Sequence, residues 1–271
     1  MELMEKYSSF VNGEFTGDSA QIRKDINPSD SSVLAQLHCA DSAVLNMAVE
    51  SAQTAFKTWG TSDRAYRAKI LNQMADIIEE NKKYLASIEA RDVGKPIQEA
   101  TLQMELSASV YRYFAAAILA QDDTAVIHDG GSVSMVLREP LGVVGLILPW
   151  NAPCMLLSWK AAPALAAGNC VIVKPASAAP LIILELARLW KDILPAGVFN
   201  VLLATGSGAG EEMLHHPGFA KFSFTGSTEV GKHIGAVTGG NIVPCTLELG
   251  GKSANIIFPD AQLDRALQIG R

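Results

Sequence analysis

Apolar residues recur at helical spacing through the first part of the chain and in short continuous runs through the second. From Asp41, a residue suited to capping a helix, Leu45, Val49, Ala52, Phe56 and Trp59 follow three or four apart, and Gly60 ends the pattern. A second, longer helix is expected from Ser62 or Asp63. Its stripe is Ile70, Leu71, Met74, Ile77, Ile78, Leu85 and Ile88, and Gly94 with Pro96 stops it. A third covers 97–119. Ahead of these helices the chain reads as short strands and turns, with Asn12-Gly13 a hairpin signal and Asn27-Pro28-Ser29-Asp30 a turn cluster.

Further on, the period changes. Residues 124–137 read as a hairpin around Asp129-Gly130-Gly131. Strands are then expected at 143–148, 170–173, 199–203, 219–222, 243–247 and 254–258. Helices are expected at 153–167, 178–194, 209–215 and 228–238, and another begins at Ala261. Runs such as 143–148 and 170–173 are apolar throughout, as parallel strands covered on both faces must be. The alternation predicts an α/β fold: a doubly wound, mostly parallel sheet with an N-terminal helical region and a β-hairpin. Ligands of such sheets bind at the carboxyl ends of the strands, so the loops after strands are where chemistry belongs.

Composition narrows the function classes. With 49% hydrophobic and 18% charged residues, general disorder is excluded. The formal charge is −6 and Lys and Arg do not cluster, which argues against nucleic acid or an anionic membrane as partner. The most apolar stretch, 141–173, is interrupted by Pro149, Asn151, Pro153, Lys160, Pro163 and Asn169. It therefore falls short of the roughly 18 to 20 apolar residues of a membrane span. The N-terminus lacks the apolar core of a signal peptide. Cys39, Cys154, Cys170 and Cys245 have no metal-ligand spacing, which suggests free thiols in the cytoplasm. His215-His216 before Pro217 reads as a surface turn and not a metal site.

Five loops carry candidate chemistry. Pro149-Trp150-Asn151 follows the first core strand; the Asn151 amide suits either a developing oxyanion or a helix cap. Lys174-Pro175-Ala176-Ser177 follows the second; Lys174 suits an anion or is merely solvated, and Ser177 suits a ribose or a cap. Gly206-Ser207-Gly208-Ala209-Gly210 is glycine-rich but is not G-x-G-x-x-G. Phe224-Thr225-Gly226-Ser227-Thr228-Glu229-Val230-Gly231 opens a helix and suits a phosphate, or a capping box of the Ser-x-x-Glu kind. Lastly, Thr246-Leu247-Glu248-Leu249-Gly250-Gly251-Lys252 ends an apolar strand in a carboxylate. In apolar surroundings Glu248 would have a raised pKa and serve as a general base; otherwise it pairs with Lys252 or lies at an exposed strand end. Cys245 lies three residues from Glu248, on the opposite face of a strand, and Cys154 sits at a helix start; neither is favoured as a nucleophile.

Taken together, Pro-Trp-Asn, Trp-Lys-x-x-Pro-Ala-Leu-Ala-x-Gly, Lys-Pro-Ala, Phe-Thr-Gly-Ser-Thr-Glu-Val-Gly and Leu-Glu-Leu-Gly-Gly-Lys resemble the NAD(P)-dependent aldehyde dehydrogenase superfamily. The resemblance covers nearly the whole chain, including Asp92-Val93-Gly94-Lys95-Pro96. It implies oxidation of an aldehyde to an acid with hydride transfer to NAD or NADP, through a Cys thiolate whose oxyanion rests on an Asn amide. It further implies that Asn151 is the oxyanion donor, Glu248 the general base and Lys160 a residue near a proton path. Lys174 would contact the adenosine ribose, Gly226 and Ser227 the pyrophosphate, and Leu249 the nicotinamide. Pro149, Trp150, Ser177, Gly206, Gly210, Phe224, Thr225 and Gly231 would complete the cofactor cleft. The resemblance also implies an oligomerisation hairpin at 121–140, hence a dimer or tetramer. A cofactor domain would span 1–120 and 141–248, and 249–271 would begin a catalytic domain.

Two departures stand out. The family's nucleophilic Cys lies beyond Glu248, and no Cys follows Glu248 here. The expectation is the N-terminal part of a longer enzyme, or else a non-catalytic NAD(P)-binding module. A thiol hydrolase using Cys154 or Cys245 is the reading from another class. Second, Ser177 stands where the family commonly has Glu, whose carboxylate bonds ribose hydroxyls and repels a 2′-phosphate. Replacing Ser177→Glu is therefore expected to weaken NADP binding relative to NAD. Calorimetric titration of both proteins with both cofactors checks this, and an unchanged ratio would refute it.

Overall fold

The computed structural model describes residues 3–269; Met1, Glu2, Gly270 and Arg271, where the last helical pattern was expected to stop, lie outside the described residues. The chain opens with β1 (Lys6–Tyr7), β2 (Phe10–Val11), β3 (Glu14–Phe15), β4 (Ile22–Ile26) and β5 (Val33–His38). Asn12 and Gly13 both take positive φ, 54° and 86°, which closes β2 on β3 as a two-residue hairpin. Helices α1 (Ser42–Trp59), α2 (Arg64–Glu80), α3 (Lys82–Val93) and α4 (Ile97–Leu119) follow. The Asp41 side chain accepts from the Val44 amide and caps α1, as the sequence suggests.

The expected second helix is in fact two. The backbone leaves helical geometry at Asn81 (φ −102°, ψ 12°), whose side-chain amide donates to the Ile77 carbonyl. An Asn satisfies the end of one helix this way, and the apolar stripe hides the break because it continues in phase on α3.

The hairpin forms from β6 (Thr124–Ile127) and β7 (Val133–Val136), exposed along both strands. Then come β8 (Val143–Ile147), α5 (Pro153–Ala166), β9 (Cys170–Lys174), α6 (Leu181–Trp190), β10 (Phe199–Val201), α7 (Ala209–His215), β11 (Lys221–Thr225), α8 (Thr228–Gly240), β12 (Cys245–Glu248) and α9 (Leu263–Ile269). The strand expected at 219–222 is thus shifted toward the C-terminus. The strand expected at 254–258 does not form: Ile256, Ile257 and Phe258 are exposed, and the segment pairs with no strand among the described residues.

The main sheet has the order β12-β11-β8-β9-β10-β2-β3, with the first five strands parallel. The chain runs outward from β8 through β9 to β10, then returns to the other side of β8 for β11 and β12. The β8/β11 boundary is therefore the topological switch point, where such sheets leave a crevice. A separate sheet of order β1-β5-β4 lies beside it. Helices α2, α3 and α4 pack on α5 and α6, whereas α1 packs on β8, β9, β10 and α7. In the core, Trp190 meets Tyr111 and Phe199 edge-on, with ring centroids 5.5 and 5.4 Å apart.

Neither α5 nor α6 has a side-chain cap of its own; their cap positions are Ala152 and Pro180. Helix α3 supplies both from outside. Glu89 Oε2 accepts from the Cys154 amide at 3.2 Å, and Asp92 Oδ2 from the Leu181 amide at 2.9 Å. Glu89 is fully buried and pairs with Lys95 at 2.8 Å. Removing one partner of such a pair strands a charge in the interior. Glu89→Ala is therefore expected to lower the unfolding free energy by about 3–5 kcal/mol. Glu79→Ala, which removes a partner of exposed Arg112, should lower it by less than about 1 kcal/mol. Urea unfolding of both variants checks this, and equal losses would contradict it.

Candidate functional site

Because the five parallel strands point the same way, all five candidate loops emerge at one edge of the sheet. The register keeps those ends level: Ile147 pairs with Lys174 and Phe224, and Thr225 with Glu248. The Gly226 amide donates to the Glu248 carbonyl at 3.1 Å, which ties the β11 turn to the end of β12.

On the α5 face of the sheet, β8, β11, β12 and α5 enclose a pocket of about 710 Å³. Lys160 and Glu248 both line it, with Ser223, Thr225 and Leu249. The Lys160 ammonium donates to Ser223 Oγ at 2.8 Å. Burial pushes its pKa down to about 8, and the negative charge of Glu248 opposes the shift. Glu248 itself is exposed and forms no ion pair with Lys252, so of the alternatives for it the exposed strand end holds and the apolar setting does not. Ser223 was not anticipated. Its signal is alternation: Lys221, Ser223 and Thr225 share one face of a central strand and turn polar groups into the pocket.

A second group gathers at the β9 end. Lys174 is only 7% exposed, against the alternative of a solvated side chain. Its ammonium donates to the Pro175 carbonyl at 3.3 Å, and its pKa falls to about 8, first through burial and then through the charge of Arg23. Gly210 makes room for it: a Cβ there would stand 2.6 Å from Lys174 Cε. Ser177 caps no helix, since α6 begins at Leu181; its hydroxyl donates to the Ala204 carbonyl at 3.4 Å. Gly206 lies in the neighbouring turn before α7.

At the start of α8 the capping alternative holds for Ser227, whose Oγ accepts from the Val230 amide at 3.3 Å. Val230, not an acidic residue, stands three positions after Ser227, so the reciprocal capping box does not form. The Thr228 and Glu229 amides have no hydrogen-bond partner among the described residues. That leaves donors and the positive end of a helix dipole for an anion. A Cβ at Gly231 would meet Leu249 Cδ2 at 2.2 Å, so the glycine lets α8 pack against the segment after Glu248.

Pro149, Trp150 and Asn151 sit in the loop after β8 and are not among the walls of the 710 Å³ pocket. Trp150 and Asn151 are exposed, and the cap position of α5 is Ala152, so Asn151 is not the helix cap. Asn151 and Glu248 therefore stand at the same sheet edge without sharing a pocket.

The thiols are poorly placed for nucleophilic attack. Burial and the nearby Glu89 push the Cys154 thiol far up, and burial pushes Cys170 up to about 12 and raises Cys39. Cys245 alternates with Glu248 along β12 and faces away from it. His215 and His233 contact Glu211, and His216 contacts Asn46. No group of three or more His, Cys, Asp or Glu suited to a metal ion occurs among the described residues. No described helix is long and apolar enough to cross a membrane.

The Lys160 pKa, about 8, lies below its ordinary 10.5, so the folded chain sheds that proton first. The lysine then opposes folding fully below about pH 8, and its penalty fades as the pH rises to about 10.5. Lys160→Met is expected to be more stable than the natural chain at neutral pH, with the gap closing above about pH 10.5. Urea unfolding across that range checks it; a gap that does not change with pH would refute it.

The model of the aldehyde dehydrogenase family matches residues 15–270. A long-chain-aldehyde dehydrogenase from an Acinetobacter species is 39% identical over 273 residues, covering 97% of this chain and 54% of its own length. The NAD+ complex of an aldehyde dehydrogenase from Bacillus cereus superposes with a TM-score of 0.92 at 37% identity, covering 97% of this chain and 55% of that one. A betaine aldehyde dehydrogenase variant from Staphylococcus aureus, solved with NAD+, gives 0.92 at 33% identity, with 98% and 55% covered. The chain thus spans about half the length of these relatives.

Proposed function

The chain belongs to the aldehyde dehydrogenase family, and from that premise we propose that it carries the NAD(P)-binding part of an enzyme that oxidises an aldehyde to a carboxylic acid. The observation that carries this reading is the convergence of the five loops at the carboxyl edge of the parallel sheet, at its switch point. The residues fit a dinucleotide. Lys174 is a buried ammonium with no carboxylate partner among the described residues, and the start of α8 offers two free amides. Two relatives of known structure were solved with NAD+. When bound, the nicotinamide would supply the hydride acceptor.

In this reading Lys174 and Ser177 hold the adenosine ribose, and Gly206 and Gly210 keep the neighbouring turn open. Phe224, Thr225, Gly226, Ser227 and Gly231 shape the pyrophosphate site. Pro149, Trp150 and Leu249 border the nicotinamide. The Asn151 amide donates to the oxyanion of the reacting aldehyde, Glu248 takes the proton of the attacking water, and Lys160 exchanges protons with it near pH 8. The acyl-accepting thiol comes from outside these residues. We assign the cofactor domain to 1–120 and 141–248 and the start of the catalytic domain to 249–271. The exposed hairpin at 121–140 joins copies into a dimer or tetramer, and the cytoplasm is the proposed compartment. That none of Cys39, Cys154 and Cys170 is an activated thiolate also favours a second reading, a non-catalytic NAD(P)-binding module.

The test is calorimetric titration of this chain with NAD and NADP, with an aldehyde-oxidation assay on the same sample. Cofactor binding without turnover is expected. Turnover would show that a thiol of this chain does the chemistry, with Cys245 the first to mutate. Absence of binding would overturn the cofactor assignment.

A further inference from the structure

We propose that Lys160 is a covalent capture site for aldehydes: its side-chain amine condenses with the carbonyl of an aliphatic aldehyde held in the 710 Å³ pocket and forms an imine. The aldehyde class rests on the reading above; the amine and its surroundings are what this inference adds. Lys160 is half-buried in the wall of that pocket, which it shares with the aliphatic side chains of Val144, Leu146 and Leu156 and the indole of Trp159. A cavity of that size and lining suits a small apolar solute. Trp159 is exposed, so a solute enters from solvent beside it.

The surroundings equip this amine as a nucleophile. Its one hydrogen bond among the described residues runs to Ser223 Oγ at 2.8 Å, and it forms no ion pair there. With a pKa of about 8 against the ordinary 10.5, roughly a tenth of the molecules carry the neutral amine at pH 7, a few hundred times the share in an unshifted lysine. Lys174 has the same basicity, but it is almost wholly buried and does not line this pocket. Glu248 lines the pocket too and carries the protons. The amine lone pair attacks the carbonyl carbon, so the C–N bond forms as the C=O π pair moves to oxygen. Glu248 takes one proton from the nitrogen and returns it to the oxygen, which gives a carbinolamine. The nitrogen lone pair then expels the hydroxyl, and the second nitrogen proton follows it through Glu248. One C=N bond is left, and one water is released for each aldehyde. While the imine lasts, Lys160 exchanges no proton with Glu248, so capture competes with the role assigned to it above.

The experiment mixes the chain with octanal for timed intervals, reduces it with sodium borohydride and maps the added mass by peptide. Borohydride fixes imines and not thiol adducts, so Cys245 does not contribute. At pH 7 Lys160 should be labelled at least about tenfold faster than exposed Lys57 or buried Lys174. Its rate should rise to a plateau with a half-point near pH 8. Glyoxylate, a charged aldehyde, should label Lys160 less than octanal does when each is measured against Lys57. Glu248→Gln should lower the plateau about tenfold or more and move the half-point to lower pH. Lys160→Met should lose the fast label; should that variant lose its cooperative melt, the peptide map of the natural chain carries the same test. Labelling spread evenly over the lysines, equal labelling of Lys174, or an unchanged plateau in Glu248→Gln overturns the proposal. If Lys160 is not preferred while NAD binds, this proposal falls and the cofactor reading stands. Fast labelling of Lys160 in a chain that binds neither NAD nor NADP supports this proposal and overturns that reading.

Discussion

Two backbone amides at helix starts, those of Cys154 and Leu181, are met by two buried carboxylates of a single helix, and the site's placement depends on that arrangement. A helix start leaves amides without partners, and an interior one cannot rely on water. Helices α5 and α6 carry no capping side chain, so Glu89 and Asp92 of α3 satisfy them from a distance. Asn151 lies three residues before Cys154, and Lys174 and Ser177 lie just before Leu181. The loops that bear them are therefore set by α3. The cost is desolvation: burial raises the carboxyl pKa of both acids, with Lys95 opposing the shift at Glu89 and Asp25 adding to it at Asp92. Such buried charge contributes position more than stability.

The same desolvation acts on two lysines, one on each side of the sheet's carboxyl edge. Burial brings both Lys160 and Lys174 down to about 8, but their neighbours differ. Lys160 has a serine hydroxyl and the charge of Glu248 across an open pocket, which suits exchange of a proton with a carboxylate. Lys174 has a carbonyl and a second cation, which suits capture of an anion. Equal shifts thus support different roles, and the neighbours rather than the value distinguish them.

Much of this was legible along the chain. The βα alternation located the parallel strands, because continuous apolar runs bounded by turns have few other uses in a chain of this length. The strand-end motifs then placed Asn151, Lys174, Gly226, Ser227 and Glu248 at one edge without any coordinate. Less legible was the break at Asn81, since an apolar stripe reports which face is buried and not whether the backbone is continuous. Arg23 was invisible for a different reason: its partner, Ser177, is far away in sequence and in a loop that follows a strand of another sheet.

What the sequence by itself determined is the set of local elements, the direction of the main sheet and the loops that hold its chemistry, since side-chain period, capping residues and turn signals act over a few residues. Tertiary structure decided the rest. It left 254–258 unpaired, exposed Glu248 where an apolar setting was one alternative, and buried Lys174 where solvation was an open alternative. It also brought Arg23 across to the β9 loop and sent the carboxylates of α3 to cap α5 and α6. Strand pairing, desolvation and charge–charge interaction depend on which atoms meet across the fold, and no local pattern carries that information.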